Sequence, residues 1–306
     1  MASHSSPAHS VAHVMPEGTR IPVVILGACG RMGREAVKTM LLHEERFHLV
    51  GLFDRNKKGA CAGEVAGMPD HPSPVTVQYD LAEVLQWAKE QSKLPRQSFV
   101  VVDLTVGSST REHITTVAQA GGLPVIGATG FTPEDIASMD TLLKTYGLEG
   151  ALIPNFSIGA VLLMQFAQKA STYFSHSELI EYHHNQKLDA PSGTAVRTAT
   201  LMEEARQTFA VTNITDHETM AGARGCETQG KLRIHSVRLP GLVAHQEVLF
   251  GAQGELLTLR HDSFDRACFM PGVRQVAQSL AAHLYASASS YQLQYAGLTI
   301  GLEHYL

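Results

Sequence analysis

The sequence predicts an α/β protein in two parts: an N-terminal doubly wound parallel sheet, then a C-terminal α+β domain built on a mixed sheet. Three observations carry this. Short apolar, β-branched runs alternate with helix-spaced segments through the first half of the chain. Glycines cluster where the first strand meets the first helix. After Asn155 the alternation stops, and a long apolar helix is followed by strands joined through Gly-containing turns.

The elements follow in order. "IPVVILG", from Ile21, reads as a buried strand, "REAVKTMLLHEERF" has helical spacing, and "HLVGLFD" is a second strand. "SFVVVDLT" is another strand, leading to the helix "STREHITTVAQAGG", the strand "LPVIGATG", a helix after "TPEDI" and the strand "GALIPNFS". Beyond it come the helix "GAVLLMQFAQKASTYF", the strand "SELIEYHH", a helix starting near Thr194, and the strands "KLRIHSVRLP", "AHQEVLFGA" and "ELLTLRHD". These boundaries predict a nucleotide domain over 21–153, completed by a C-terminal helix over about 270–306, and a second, α+β domain over 154–269. The first twenty residues are polar and Ser/His/Pro-rich without an apolar core, so a disordered leader is expected rather than a secretory signal.

The totals remove several classes of function. At 306 residues, 44% hydrophobic and 17% charged, the chain is globular and long enough for two domains. A net charge of −5 predicts no nucleic-acid partner. No apolar run reaches the roughly 18 residues of a membrane span. The four cysteines, Cys29, Cys61, Cys226 and Cys268, are scattered without a CxxC pair. Neither a disulfide framework nor a metal site is expected, and a reducing, cytoplasmic setting is the default, or a plastid if the leader is a targeting remnant.

"VVILGACGRMGREAV" joins strand to helix through Gly27, Gly30 and Gly33. Such glycines let the chain turn tightly and bring a pyrophosphate against free N–H groups at a helix N-terminus. The spacing is GxxGxxG, so its context must carry the reading. The second strand ends in Asp54, where a carboxylate reaches adenosine ribose hydroxyls, and Arg55, Lys57 and Lys58 follow at once and can meet a 2′-phosphate. This is a Rossmann-like arrangement that suits NADH and NADPH equally. The bland alternative is a Gly-rich turn before a solvated charge run. "VIGATGFT" ends a further strand at the same sheet end and offers Gly127, Ala128 and Thr129 as backbone neighbours of a nicotinamide, or as plain turn residues. Cys29 reads as a small filler.

"EYHHNQKLDAPSGTA", residues 181–195, holds two histidines and a lysine just before a helix. A histidine exchanges protons near neutrality. Lys187 can donate a proton or hold an anion. Ser192 or the neighbouring backbone is placed to cap the helix, leaving the N–H groups of Gly193 and Thr194 as a carboxylate seat. The competing reading is a capped helix preceded by surface polar residues.

Together "GACGRMGRE", "GATGFT", "PNFSIGAVLL", "EYHHNQKLDAPSGTA" and "RIHSVRLPGLVAHQEVLFG" resemble the 4-hydroxy-tetrahydrodipicolinate reductase family, most closely its cyanobacterial and plant-like branch, from about Ile21 onward. The resemblance implies NADPH or NADH as cofactor, a small dicarboxylic imine as substrate, and residues 154–269 as a substrate-binding and oligomerisation domain that builds a homotetramer. It implies His183 as catalytic acid/base and Lys187 as second proton donor, with His184, Ser192, Gly193 and Thr194 around the substrate. It places Gly27, Ala28, Cys29, Gly30, Arg31, Met32, Asp54, Arg55, Gly127, Ala128, Thr129, Ile153, Pro154, Asn155 and Phe156 against the dinucleotide. Two departures concern the cofactor: "GATG" leaves Ala128 only its backbone to offer, and "DLTVG" puts Leu104 where the family pattern has an aromatic ring.

Two rival functions fit the sequence less well. An aspartate-semialdehyde-type dehydrogenase needs an activated cysteine, and neither Cys226 nor Cys268 has such a context. A non-catalytic redox sensor needs neither His183 nor Lys187.

Overall fold

The computed structural model describes residues 15–206, 218–290 and 295–306; most of the predicted leader lies outside them. In chain order the elements are β1 (Ile21–Leu26), α1 (Arg31–Leu42), β2 (Phe47–Phe53), α2 (Ala62–Ala66), β3 (Val77–Gln78), α3 (Leu81–Gln91), β4 (Phe99–Asp103), α4 (Gly107–Ala120), β5 (Gly122–Ile126), α5 (Pro133–Tyr146) and β6 (Glu149–Leu152). They continue as α6 (Ile158–Ser171), β7 (His176–His183), α7 (Gly193–Ala205), β8 (Cys226–Glu227), β9 (Arg233–Arg238), β10 (Ala244–Ala252), β11 (Glu255–Ser263), α8 (Met270–Ser290) and β12 (Gly297–Ile300).

By its described residues the chain divides into two compact units, Met1–Pro154 with Val273–Tyr305 and Asn155–Gly272 with Leu306. The first holds a seven-stranded parallel sheet in the order β12-β6-β5-β4-β1-β2-β3. Every residue of β1, β4, β5 and β6 is buried, as expected when helices cover both faces of a parallel sheet. From β1 the chain adds strands on one side through β2 and β3, then crosses to β4 and adds them on the other. That reversal opens a crevice at the carboxyl ends of β1 and β4, where doubly wound folds take their ligands.

Three features of this unit differ from the expectation. α1 ends at Leu42, because a turn over 43–46 hands the chain to β2. Between Asp54 and Ser98 lie α2, β3 and α3, the last started by Asp80, whose side chain accepts from the Glu83 N–H. The C-terminal helix, expected over about 270–306, is described over Met270–Ser290, and residues 297–300 form β12, which pairs in parallel with β6.

The second unit is a five-stranded sheet in the order β11-β10-β7-β9-β8. It is mixed: β7 runs antiparallel to β10 and parallel to β9. Leu163 and Ala167 of α6 and Ala195, Ala199 and Met202 of α7 pack against Leu179, Ile234, Val248 and Phe250 of the sheet. Each such large apolar side chain contributes about 1.5–3 kcal/mol when fully buried. β7 lies at the centre, so the residues at its carboxyl end are held from both sides.

Candidate active site

The first unit assembles its candidate dinucleotide groups at the switch point. Gly27 has a left-handed φ of 76°, and a Cβ on it would lie 3.1 Å from the Leu104 carbonyl group. The turn after β1 is therefore pressed against the loop after β4. A Cβ on Gly33 would lie 2.0 Å from the Gly27 oxygen, so α1 can approach the turn only with glycine there. α1 starts at Gly30 with no side-chain cap and no acidic residue in its first turn. By contrast α2, α3, α5, α6 and α7 all carry side-chain caps. The N-terminal donors of α1 are left for an anion.

Asp54 sits at the end of β2, but its carboxylate is engaged within the protein. Oδ2 accepts the Cys29 N–H at 2.8 Å, and Oδ1 accepts the Asn56 N–H at 2.8 Å and its side-chain amide at 3.2 Å. Asp54 thus holds the Gly-rich turn in shape. Burial and the Asp54 carboxylate push the Cys29 thiol up, which keeps it protonated and unreactive.

Arg55 is exposed and its Nη2 lies 2.8 Å from Glu112 of α4. Lys58 lies over the Tyr79 ring. At the neighbouring loop the Gly127 N–H donates to the Asp103 carbonyl at 2.9 Å. Ala28, Ala128 and Ile153 are core side chains, so only their backbones could meet a ligand. Arg31 and Gly30 are exposed and Met32 half-buried.

The second unit gathers the proton-transfer candidates. Glu181 and His183 stand two apart on β7, so both side chains leave the same face of the strand. Glu181 is fully buried, and His183 Nδ1 lies 2.5 Å from its Oε2. Arg238, at the end of β9, grips the same carboxylate with both terminal nitrogens, Nη1 to Oε2 at 2.9 Å and Nη2 to Oε1 at 2.8 Å. The Ser192 N–H adds a fourth donor at 3.2 Å. Burial, the largest single influence, pushes Glu181 up, but the hydrogen bonds from His183, Arg238 and Ser236 outweigh it and hold it down to about 2. An ionised Glu181 can only accept, so the His183 proton resides on Nδ1 in the neutral ring and Nε2 is the second, outward nitrogen.

Lys187 pairs with Asp189 at 2.8 Å, and that hydrogen bond lowers the Asp189 carboxyl. The His184 carbonyl accepts the Lys187 N–H at 3.1 Å, which folds the loop back on itself. Ser192 caps α7 by accepting the Ala195 N–H at 3.2 Å, leaving the N–H groups of an exposed Gly193 and a half-buried Thr194 at the helix start. Asn155 reaches Thr194 Oγ1 at 3.5 Å and accepts the Ser157 N–H at 2.9 Å, so its side chain stands beside the proton-transfer segment. Phe156 is core. Among the described residues no group of three or more His, Cys, Asp or Glu is arranged to hold a metal ion.

The motif reading passed over Glu181 and Arg238. The first is signalled by its place two residues before His183 on one strand. The second emerges only from the pairing of β7 with β9.

An uncapped helix beside an acid-ended strand suits a dinucleotide, and a carboxylate-backed histidine beside a helix start suits proton transfer to an acidic substrate. Those features define a two-domain, dinucleotide-dependent oxidoreductase. The chain belongs to the dihydrodipicolinate reductase family, whose N-terminal model matches residues 21–156 and whose C-terminal model matches 159–294. It is 46% identical over 255 residues to the 4-hydroxy-tetrahydrodipicolinate reductase of Cyanothece sp., covering 83% of this chain and 90% of that one. Against the enzyme of the same name from Geobacillus kaustophilus it is 42% identical, covering 94% and 99%. Several of the similar relatives are cyanobacterial. A dihydrodipicolinate reductase from Paenisporosarcina sp., solved with dipicolinate bound, superposes with a TM-score of 0.75 at 38% identity over 94% of this chain and 100% of that one. An amine dehydrogenase from Mycobacterium smegmatis, at TM-score 0.59 and 16% identity, shares the fold alone.

Proposed function

We infer that this chain is an NAD(P)H-dependent oxidoreductase that reduces 4-hydroxy-tetrahydrodipicolinate to tetrahydrodipicolinate, in the diaminopimelate route to lysine. The match of both family models along the chain carries this reading. The reaction consumes NAD(P)H and a proton, and releases NAD(P)+, water and the reduced ring.

The nicotinamide, when bound, supplies the hydride. The chain's own residues do the rest. Gly27 and Gly33 keep the turn open to a pyrophosphate, and the first N–H groups of α1, at Arg31 and Met32, receive it. Asp54 fixes the turn through Cys29, and Oδ2 keeps a lone pair for a ribose hydroxyl. Arg55 stands where a 2′-phosphate would sit. The backbones of Gly127, Ala128, Thr129, Ile153 and Pro154 would line the nicotinamide.

Loss of water from the 4-hydroxy ring leaves a conjugated imine; hydride addition to it builds negative charge, which the imidazolium form of His183 quenches with its Nε2 proton. Lys187 is the second donor and an anion partner. His184, Ser192, Gly193 and Thr194, with Asn155 beside them, hold the substrate carboxylates at the start of α7. The dipicolinate bound by the Paenisporosarcina relative is a dicarboxylate of this kind.

The family resemblance also supports a homotetramer. α6 and α7 cover one face of the second unit's sheet, while Leu256, next to the inward-packed Leu257, is 69% exposed on the other. Among the described residues no helix is long and apolar enough to cross a membrane. We place the enzyme in the cytoplasm, with the leader deciding between that and a plastid.

The decisive experiment is loss of absorbance at 340 nm when purified protein meets NADPH or NADH and substrate made in situ from pyruvate and aspartate semialdehyde. Substrate-dependent loss is expected with at least one cofactor. Dinucleotide binding without turnover would overturn the assignment.

A further inference from the structure

The catalytic reading leaves a buried ion pair unused. Glu181 is fully buried in the centre of the sheet and accepts from His183, from both terminal nitrogens of Arg238 and from the Ser192 N–H. Arg238 is equally committed. Nη1 donates to Glu181 and to the Val237 carbonyl at 2.8 Å, and Nη2 donates to Glu181 and to the Asp189 carbonyl at 2.7 Å. Those four bonds use all four terminal hydrogens of the guanidinium, and the remaining Nε–H is buried without a hydrogen-bond partner.

We propose that Glu181 and Arg238 are paired positioning residues for His183: the carboxylate orients the ring and stabilises its protonated form, and the guanidinium offsets that charge so that the proton can still leave. The inference rests on the reading of His183 as proton donor. A carboxylate against an imidazole favours the imidazolium and fixes the ring's orientation, and a guanidinium on the same carboxylate opposes the first effect, whereas no carboxylate leaves the ring free to flip or to change tautomer. The strongly depressed Glu181 carboxyl supports the picture, because the carboxylate stays charged at every pH at which the enzyme would work.

Other charges near His183 do not replace this pair. On β10 the residue opposite His183 is the uncharged Ala244, and the next, His245, is bound to Asp262 at 2.8 Å. On the loop Lys187 and Asp189 neutralise each other. His184 is the remaining titratable neighbour in sequence, one residue beyond the strand end. Through the Asp189 carbonyl, Arg238 also braces the loop that carries Lys187, so one guanidinium supports both proton donors.

The two partners have opposite signs, and so must their variants. The test is a pH titration of histidine Cε1–H resonances in the ligand-free full chain, with His183 assigned by its disappearance in His183→Asn. In Glu181→Gln the His183 midpoint is expected to fall by about one unit or more, and in Arg238→Met to rise by a similar amount. Arg238→Lys, which keeps the charge but not the two-pronged contact, should return the midpoint toward the wild-type value. The basic limb of the kcat/KM profile should move the same way. Shifts of one sign in both variants, or none, would overturn the proposal. If Arg238→Met fails to fold, Glu181→Gln and Arg238→Lys decide: a fall in the first with a near-normal second supports the pair, and an unmoved first refutes it. Opposite shifts in a protein without reductase activity would sink the functional reading and leave the charge pairing standing. Normal activity with unmoved midpoints would do the reverse.

Discussion

Gly33 faces Gly27 so closely that a methyl group on Gly33 would lie 2.0 Å from the Gly27 carbonyl oxygen. The nearest neighbours are all backbone, so no side chain can swing aside. Gly33→Ala should therefore push α1 off its turn. We expect a stability loss of about 1–3 kcal/mol, the usual cost of overpacking, and at least a tenfold weaker grip on NADH. Denaturant titration and calorimetric dinucleotide titration would check the two effects, and unchanged binding would show that the turn does not hold a pyrophosphate.

Replacing His183 with alanine should lower kcat by about 10²–10⁴-fold, the range of a general acid–base contribution. Lys187→Ala should harm kcat and KM together, because its ammonium serves as both proton donor and anion partner. Steady-state kinetics separates the two variants. Wild-type kcat in His183→Ala would remove that ring from the mechanism.

Arg55 shares its charge with Glu112 at 2.8 Å. A 2′-phosphate must compete for that guanidinium, whereas a 2′-hydroxyl has no need to. Arg55→Ala is expected to weaken NADPH more than NADH, and Glu112→Gln to favour NADPH, in direct binding measurements. Equal losses for both cofactors would reduce Arg55 to a solvated surface charge.

Acid stability should report Glu181. Its folded-state value of about 2 lies below the ordinary 4.5, so its contribution is complete above 4.5 and drains away as pH falls toward 2. Asp135, held down to about 2 by Arg111 and then by Thr132, follows the same sign on an exposed surface where solvent screens it. Urea unfolding between pH 2 and 6 should therefore show a flatter acid limb in Glu181→Gln than in wild type. Parallel limbs would contradict the carboxylate's ionised, paired state.

Local patterns were legible and long-range pairings were not. β1, the glycine turn and the stretch from His183 to Thr194 announce themselves because their residues are neighbours in the chain. Arg238 is 57 residues from Glu181, and only the parallel register that sets Glu181 opposite Ser236 and His183 opposite Arg238 joins them. Asp54 was found by its place at a strand end, yet its engagement with the Cys29 N–H depends on how two loops meet. α3 carries a readable signal in Asp80 and in the spacing of Leu81, Val84, Leu85 and Ala88, which a search for alternating strands passes over. β12 is four residues long, too short for any periodicity to declare it.

That short strand has a bearing on biosynthesis. β12 hydrogen-bonds to β6, yet residues 155–272 of the second unit lie between them in the chain. A ribosome therefore releases β6 long before β12 exists, and until residues 297–300 emerge the fully buried β6, in place of the four-residue β12, is the edge that the nascent sheet presents to another chain. Translation speed and chaperone cover over that interval, rather than the strength of the finished core, would then govern how much of the protein reaches its native form.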